Sequence, residues 1–300
     1  MALLRCAVIG VGYLGKFHAQ KYAKIPECEL VAVVDSRQEQ ADAVAAPLGC
    51  AALTDYRALL GKVDAVSIVV PTQGHYDVCA EFLRAGVHVL VEKPMTTTLA
   101  QADELIRLAK ENHCVLAVGH LERFNPAALA LEPLLSDPRF IDSSRLAPFK
   151  PRATDVSVLL DLMIHDVDLI LSLVDSELES VDCSGARVLT SDIDIANARI
   201  RFANGCVANV TASRVSAKSE RKMRVFQNQA CHSLDFQART LTTYRGATDP
   251  SIKGNGLGLA IVREIAVKHH AQVSISDTHE GHSPPGARFS VRFSSINLNR

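Results

Sequence analysis

The sequence of 300 residues contains no tryptophan, few aromatic residues and no excess of charge of either sign. Its 32 Lys and Arg balance 33 Asp and Glu, for a formal net charge of -1. Without a basic excess, the chain has no general electrostatic attraction to nucleic acid or to an anionic membrane. No apolar run approaches the roughly 20 residues that cross a bilayer, and no secretory signal is visible. We therefore expect a cytoplasmic protein that binds neither nucleic acid nor membrane.

Closely spaced cysteines are also lacking. The eight cysteines are scattered along the chain, and no two of them form a C-x-x-C pair. Such spacing does not indicate a zinc site or a disulfide framework, and several cysteines lie within apolar runs. We expect small, reduced core residues and no metal site.

The most informative stretch lies at the N-terminus. An apolar run, 6–9, precedes glycines at positions 10, 12 and 15 in the spacing G-x-G-x-x-G, and after a helix-like segment a second apolar run ends at Asp35. Gly10 permits a tight turn, Gly12 lets a pyrophosphate approach the backbone, and Gly15 lets the helix pack on the strand. An acid at position 35 can accept hydrogen bonds from a ribose. The pattern predicts a dinucleotide-binding unit, with a glycine turn that binds no ligand as the alternative.

Two residues bear on the choice of cofactor. Asp35 favours NAD, because a carboxylate repels the 2′-phosphate of NADP. Arg37 leaves NADP open as the less favoured alternative, because an arginine two residues further on could pair with that phosphate.

From Met1 to about Phe124, apolar strand-like runs alternate with amphipathic helical segments. This order predicts a parallel sheet with right-handed crossovers, and ligands of such sheets bind beyond the carboxyl ends of the strands. We expect the residues at these ends to line one cleft. They are Gly10 to Gly15, Asp35, Pro71, Thr72, His75, Glu92, Lys93, His120, Arg123 and Asn125.

Lys93 precedes a proline at the end of a buried strand. Its ammonium group can then point into the cleft and hold a substrate hydroxyl or a developing oxyanion. The alternative is a lysine whose side chain extends to water.

A largely apolar helix is predicted over Asp155 to Val174. It carries Asp161, His165 and Asp168 at positions i, i+4 and i+7, which share one helical face. Burying three ionisable groups is costly unless they pair or line a cavity. A carboxylate one turn from an imidazole can fix its tautomer and raise its basicity. The residues alone leave open whether the pair is catalytic or structural.

The following part of the chain is predicted to form antiparallel strands. Alternating segments occur at 195–202, 206–213, 222–227 and 233–236, and Asn204-Gly205 is a hairpin signal. Upstream, residues 140–151 include Arg145 and Lys150. We interpret them as an ordered loop or strand near an anionic ligand, with a solvated connector as the alternative.

Four segments resemble the glucose-fructose oxidoreductase / inositol dehydrogenase (Gfo/Idh/MocA) family. They are Gly10-Val-Gly-Tyr-Leu-Gly15, Val70-Pro-Thr-Gln-Gly-His75, Glu92-Lys-Pro94 and Gly119-His-Leu-Glu-Arg-Phe-Asn-Pro126. The resemblance implies an α/β Rossmann domain, 1–124, and a truncated α+β domain with an open, mostly antiparallel sheet, 125–243. It also implies a homo-oligomer formed through the open face of that sheet.

The segment Asp161-Leu-Met-Ile-His165 resembles an Asp-x-x-x-His element of the same family. The resemblance implies an NAD-dependent oxidation of a sugar hydroxyl to a ketone. His165 takes the hydroxyl proton, Asp161 orients His165, and Lys93 supports the oxygen. Met163 stands where many members have glycine.

The resemblance also implies the residues that contact the ligands. The implied cofactor contacts are Gly10, Gly12, Tyr13, Leu14, Gly15, Asp35, Arg37, Pro71, Thr72, His75, Glu92, Lys93 and Arg123. The implied substrate contacts are Lys93, His120, Asn125, Arg145, Asp161 and His165.

Further segments are similar to one branch of the family, at 145–149, 161–168, 194–198, 201–205 and 211–214. That branch oxidises the 3-hydroxyl of UDP-N-acetylglucosamine on the way to a 3-amino sugar of lipid A. Arg145, Lys150 and Arg214 would suit the pyrophosphate of such a substrate.

From about Tyr244 the character of the sequence changes. The remaining segments resemble the end of a histidine kinase ATPase domain. They are the glycine motif Gly254-Asn-Gly-Leu-Gly258, a helical stretch from Leu259 to His269, and strand-like segments 272–276 and 286–293. We interpret 244–300 as a fragment of such a domain. We expect no kinase activity, because one glycine loop supplies only part of a nucleotide pocket.

The origin of this tail, as a natural fusion, a frameshift or an artefact, stays open. Because of this tail, two alternatives to an active dehydrogenase stay open for the function of the chain. One is a non-catalytic NAD-binding scaffold or regulator, and the other is an inactive fusion product.

Overall fold

The computed structural model describes residues 2–150, 156–245, 271–277 and 287–293. The chain divides into two compact units, Met1–Arg245 and Gly246–Arg300. The first unit contains two sheets, each with its own buried core.

The first sheet is parallel and has six strands. They are β1 (Leu4–Ile9), β2 (Cys28–Val34), β3 (Ala51–Leu53), β4 (Ala65–Ile68), β5 (His88–Val91) and β6 (Leu116–Val118). Their spatial order is β3-β2-β1-β4-β5-β6. The order reverses between β1 and β4, and in such sheets the ligand crevice lies beyond the carboxyl ends of the strands at that point.

Helices cover both faces of this sheet. They are α1 (Gly15–Tyr22), α2 (Gln38–Ala45), α3 (His75–Arg84) and α4 (Leu99–Glu111), with 3₁₀ turns at Ala46–Leu48, Tyr56–Leu59 and Thr72–Gly74. Alternate residues of β1 point to opposite faces. Ala7 and Ile9 are buried in a cluster with Leu105 of α4, whereas Val8 is buried with Ala19 of α1. A strand buried on both faces explains the continuous apolar run at 6–9.

The glycine turn after β1 depends on close backbone contacts. Gly10 has φ +85°, and a Cβ there would lie 2.6 Å from the carbonyl oxygen of Val69. A Cβ on Gly15 would lie 1.9 Å from the carbonyl oxygen of Gly10, whereas one on Gly12 would have nothing within 4 Å. Gly10 and Gly15 therefore hold α1 against the sheet, and the position of Gly12 is open.

The second sheet has seven strands. They are β7 (Pro138–Leu146), β8 (Leu178–Ala186), β9 (Ile195–Phe202), β10 (Val207–Ser213), β11 (Glu220–Gln227), β12 (Ala230–Asp235) and β13 (Thr240–Arg245). The order is β13-β12-β11-β7-β10-β9-β8. The pair β7/β10 is parallel, and the other neighbouring pairs are antiparallel. The predicted fold class, a Rossmann domain with an open, mostly antiparallel second sheet, is confirmed.

Helical segments pack on one face of the second sheet. They are α5 (Pro126–Leu131) and α6 (Ile164–Leu173), with 3₁₀ turns at Leu121–Phe124 and Glu132–Leu134 and a π-helical turn at Leu159–Met163. Met163 and Ile170 are buried in one cluster with Ile141, Val210 and Met223 of the strands. The predicted helix over 155–174 is observed as helical structure from 158 to 173, with the difference that residues 159–163 form a π turn. Residue 155 lies outside the described residues.

The second unit is described over two strands, β14 (Ala271–Asp277) and β15 (Ala287–Phe293), which pair antiparallel. They coincide with two strands predicted for the tail. The predicted glycine loop, 254–258, and helix, 259–269, lie outside the described residues. The predicted division at 124/125 and 243/244 stays a prediction. In the described part of the chain, no helix has the length and apolar character needed to cross a membrane.

The close contact of Gly15 predicts a difference between two substitutions in the glycine turn. Gly15→Ala forces α1 away from the turn, so it should lower the free energy of unfolding by about 1–3 kcal/mol. Gly12→Ala, the matched control, should leave that free energy nearly unchanged, because its Cβ meets no protein atom within 4 Å. Urea denaturation measures both, and equal stability of the two variants would contradict this account of the turn.

Candidate active site

A cleft of about 820 Å³ opens at the carboxyl ends of the first sheet's strands. Among the residues predicted to contact the cofactor, those that line the cleft are Gly10, Gly12, Tyr13, Leu14, Asp35, Arg37, Pro71, Thr72, His75, Glu92 and Lys93. Gly15 and Arg123 are not part of its lining. Thr54 and Tyr56 also line it and are missing from the prediction, because β3 before them is too short to be recognised as a strand.

The geometry of the glycine turn and Asp35 fits a dinucleotide. The open position at Gly12 lets phosphates reach the backbone. One carboxylate oxygen of Asp35 accepts from the amide of Val11 at 3.2 Å, and the other accepts from the amide of Arg37 at 3.1 Å. These bonds hold the carboxylate at the end of β2, beside the turn. The Arg37 side chain is 73% exposed, with Nε 3.8 Å from the Asp35 carboxylate.

Lys93 lies where β5 ends and points toward the second sheet's helices. Its Nζ donates to the backbone carbonyl of Asp161 at 2.8 Å and lies 3.3 Å from Asp161 Oδ1. The lysine side chain is 18% exposed. The ammonium group is therefore held inside the protein, and the alternative of a lysine extending to water does not describe it.

Glu92 is packed directly behind Lys93. Its Oε2 accepts from the amide of Lys93 at 3.3 Å, and its Oε1 lies 3.2 Å from Nε2 of His18 on α1. A Cβ on Gly119 would lie 2.8 Å from Oε1 of Glu92. Glu92 lines the cleft, but these contacts also make it a support for the Lys93 loop. His18 is missing from the sequence prediction, and its position three residues after Gly15 is the signal that could have found it.

His75 holds two loops together at the edge of the cleft. Its ring is buried, with Nδ1 2.8 Å from the carbonyl oxygen of Pro94 and Nε2 2.9 Å from that of Val70. Both ring nitrogens are therefore used within the protein. His75 lines the cleft, and the predicted cofactor contact there stays a prediction.

His165, at the start of α6, is the buried imidazole of the site. Its Nδ1 is buried and has no hydrogen-bond partner within the described part of the chain. Burial, followed by the positive charges of Lys93 and Arg145 and the neighbouring His120, lowers the pKa of His165 to about 2. The imidazole is therefore neutral at ordinary pH and keeps a lone pair that can accept a proton.

The predicted orientation of His165 by Asp161 is wrong in this structure. Asp161 binds Lys93 instead, and the buried Nδ1 of His165 receives no bond from it. The physical reason is charge, because an ammonium group is a stronger partner for a carboxylate than a neutral imidazole.

The second acid of the predicted face, Asp168, also binds a cation. Its carboxylate accepts from Arg123 Nε at 2.7 Å and Nη2 at 2.6 Å. Nδ1 of His120 lies 3.6 Å from Asp168. Arg123, a predicted cofactor contact, is thus engaged in a bidentate pair that joins the turn after β6 to α6. Burial lowers the pKa of His120, and the charge of Asp168 opposes that shift.

Arg145 does not present a free charge to a substrate. Its side chain is 2% exposed. Nε binds Asp166 Oδ2 at 2.6 Å, and Nη1 binds Glu122 Oε1 at 3.1 Å. The predicted substrate contact at Arg145 is corrected to a buried ion pair beneath the site, because Asp166 and Glu122 already neutralise it. Neither acid is part of the sequence prediction, because each pairs with a residue of β7 that lies far from it in the sequence.

The remaining predicted substrate residues have varied surroundings. Asn125 donates through Nδ2 to Glu122 at 3.2 Å and to the carbonyl oxygen of Phe236 at 3.1 Å. Arg214 is buried and donates to the carbonyl oxygen of Val156. Lys150 is exposed. The structure therefore brings Lys93, Asp161, His120 and His165 together. Asn125 and Arg214 make hydrogen bonds within the protein, and their substrate contacts stay predictions.

Two family models match the chain. One, described as "Oxidoreductase family, NAD-binding Rossmann fold", matches residues 4–120, and the other, described as "GFO/IDH/MocA C-terminal domain", matches residues 137–236. The resemblance of residues 244–300 to a kinase ATPase domain gains no support from the comparisons.

Several curated proteins and solved structures are similar to the chain. UDP-N-acetylglucosamine 3-dehydrogenase of Acidithiobacillus ferrooxidans is 48% identical over 257 residues, which are 85% of this chain and 82% of the relative. The NAD(+)-dependent scyllo-inositol 2-dehydrogenase of Bacillus subtilis is 31% identical over 71% of this chain and 68% of its own length. A solved structure of the Acidithiobacillus enzyme superposes with a TM-score of 0.77 at 44% identity and covers 90% of each chain.

A more distant structure supports the fold alone. Levoglucosan dehydrogenase in complex with NADH is 20% identical, with a TM-score of 0.74, and covers 84% of this chain and 78% of its own.

The burial of Arg145 predicts a stability effect. Arg145→Met leaves the fully buried Asp166 without its cation, so the free energy of unfolding should fall by about 3–5 kcal/mol. Arg139→Met, on the same strand but with an exposed guanidinium, should change it by less than about 0.5 kcal/mol. Urea denaturation checks both variants. If Arg145→Met were as stable as wild type but bound substrate poorly, Arg145 would contact the substrate directly, as the sequence predicts.

Proposed function

Because the chain belongs to the Gfo/Idh/MocA family of NAD-binding oxidoreductases, we propose that it oxidises the 3-hydroxyl of UDP-N-acetylglucosamine to a ketone, with NAD as the hydride acceptor. The main support for this chemistry is the arrangement of two side chains next to a cleft that fits a dinucleotide. The ammonium group of Lys93 is held by Asp161, and it lies near the neutral, buried imidazole of His165. The substrate follows from the relative that is 48% identical over 85% of this chain.

His165 and Lys93 have separate roles in the proposed reaction. Neutral His165 accepts the proton of the sugar hydroxyl. Lys93 uses two contacts to hold Asp161, and an ammonium has three N–H donors, so one remains to bind the reacting oxygen. The positive charge of Lys93 stabilises the negative charge that develops there. Bound NAD supplies the hydride acceptor.

Asp161 acts on Lys93 in this arrangement. Its carbonyl and carboxylate both contact the ammonium group and fix its direction. Asp161 is thus a positioning residue for the ammonium group of Lys93.

We further propose NAD as the preferred cofactor. Asp35 is fixed by two backbone amides at the end of β2, where its charge opposes a 2′-phosphate. Arg37 is exposed and already lies beside Asp35, which reduces the charge it can offer to that phosphate.

An oligomer formed through the outer face of the second sheet is also proposed. Helices pack on one face, and the other carries polar groups such as Asp142, Asn197 and Arg199 around a shallow depression. A polar sheet face can pair with a second copy by complementary charges. Light scattering measures the mass in solution, and a monomer at all concentrations would exclude this association.

The reaction predicts formation of NADH, followed by absorbance, from NAD and UDP-N-acetylglucosamine with the full chain. His165→Ala should lower turnover by at least about 100-fold, because it removes the general base. Its affinity for NAD should stay close to wild type. At equal concentration NADP should give a lower rate than NAD.

His113→Asn is the matched control, since it changes a histidine outside the cleft whose φ of +54° asparagine tolerates. Full turnover in His165→Ala would show that another group is the base. Binding of NAD without any NADH formation in the wild type would favour the non-catalytic scaffold or the inactive fusion product.

A further inference from the structure

Arg221 occupies an unusual place on β11. Met223 and Val225 of this strand are buried in the core beneath α6, whereas Lys222 and Arg224 alternate with them toward the outer face. Because strand residues alternate between faces, Arg221 shares the inner face with Met223 and Val225. Its side chain is nevertheless 47% exposed, so it extends past the edge of the core on the side of α6.

The neighbour of Arg221 on the inner face is Arg145. The two residues are paired directly across β11 and β7. Two arginines side by side repel each other unless acids separate them. Glu122 provides that separation, with its Oε1 3.1 Å from Arg145 and 3.8 Å from Arg221.

The acids nearby are used mainly by other groups. Asp166 binds Arg145 through both oxygens, and the second oxygen of Glu122 accepts from Asn125. Among the residues that the structure describes, Arg221 has one distant ionic contact, to an oxygen of Glu122 that Arg145 already holds more closely. In contrast to the bidentate Arg123 and the buried Arg145, Arg221 is a cation that is exposed and only weakly neutralised.

Arg221 also lies within electrostatic reach of the reacting group. After burial and the charges of Lys93, Arg145 and His120, its charge is a further contribution to the low pKa of His165. The geometry agrees, because Arg221 is paired across the strands with Arg145, and Arg145 binds Asp166, the residue that directly follows His165.

We propose that Arg221 binds the diphosphate of the sugar-nucleotide substrate. A guanidinium group presents paired N–H donors that match phosphate oxygens, and it keeps its charge at every physiological pH. This inference rests on the proposed function and names the residue that recognises the anionic part of the substrate. Arg145 keeps its structural role below, and Glu122 holds Arg221 until the diphosphate replaces that contact.

The test is the binding of UDP to the full-length chain by calorimetry, with NAD binding measured on the same samples. Arg221→Met should weaken UDP binding at least tenfold and leave the affinity for NAD within twofold. Arg221→Lys should recover part of the UDP affinity, because it restores the charge without the paired donors. In the turnover assay, the loss in Arg221→Met should fall on KM for UDP-N-acetylglucosamine more than on kcat.

Lys222→Met is the matched control, because it removes a neighbouring charge from the opposite face of the same strand and should bind UDP as wild type does. Wild-type UDP affinity in Arg221→Met would overturn the inference and leave the proposed function standing. Equal losses in Arg221→Met and Lys222→Met would also overturn it, because the effect would then be one of general charge. Failure of the wild-type chain to bind UDP, while it binds NAD, would remove the sugar-nucleotide function and the inference together.

Discussion

The contact between Lys93 and Asp161 is the constraint on which the rest of the site depends. It joins the end of β5 in the first sheet to the π turn before α6, which packs on the second sheet. A charge-assisted bond to the backbone carbonyl, with the carboxylate at 3.3 Å, fixes both partners. The π turn is a feature that often marks functional positions in helices. The position of His165, four residues further on, follows from this junction.

Burial, together with the charges of two neighbouring ion pairs, accounts for the neutral state of the His165 imidazole. The acids at 161, 166 and 168 each bind a cation from a different part of the chain, which are Lys93, Arg145 and Arg123. Lys93 and Arg145 are positive neighbours of His165, and no carboxylate of a described residue binds its Nδ1. The same pairs hold the turn after β6, the strand β7 and the helix α6 together. The same ion pairs thus stabilise the fold and set the charges around His165. The buried pair of Arg145 and Asp166 supports the site from within the protein.

The sequence predicts the local parts of this structure well. The glycine spacing, the acid at position 35 and the alternation of apolar runs depend on near neighbours, and the fold class and most strand-end residues follow from them. The partners of the acids depend on contacts across many residues, such as 161 with 93 and 166 with 145. Helical spacing therefore suggested a bond between Asp161 and His165 that charge pairing prevents. The family resemblance and the basic segment 140–151 made Arg145 an expected substrate contact, because the burial of a side chain cannot be inferred from a basic segment. The resemblance of the tail to a kinase ATPase domain rests on a glycine motif, a helical stretch and two strand-like segments, and the second family match ends at residue 236, before this tail.

The central claim is that a hydride passes from the sugar to the nicotinamide in the cleft beside Lys93 and His165. The most direct measurement uses UDP-N-acetylglucosamine that carries deuterium at carbon 3 of the sugar, with mass spectrometry of the reduced cofactor. We expect the deuterium to appear in the reduced cofactor in proportion to the ketone formed. Reduced cofactor without deuterium would contradict the account, because oxidation would then occur at another position.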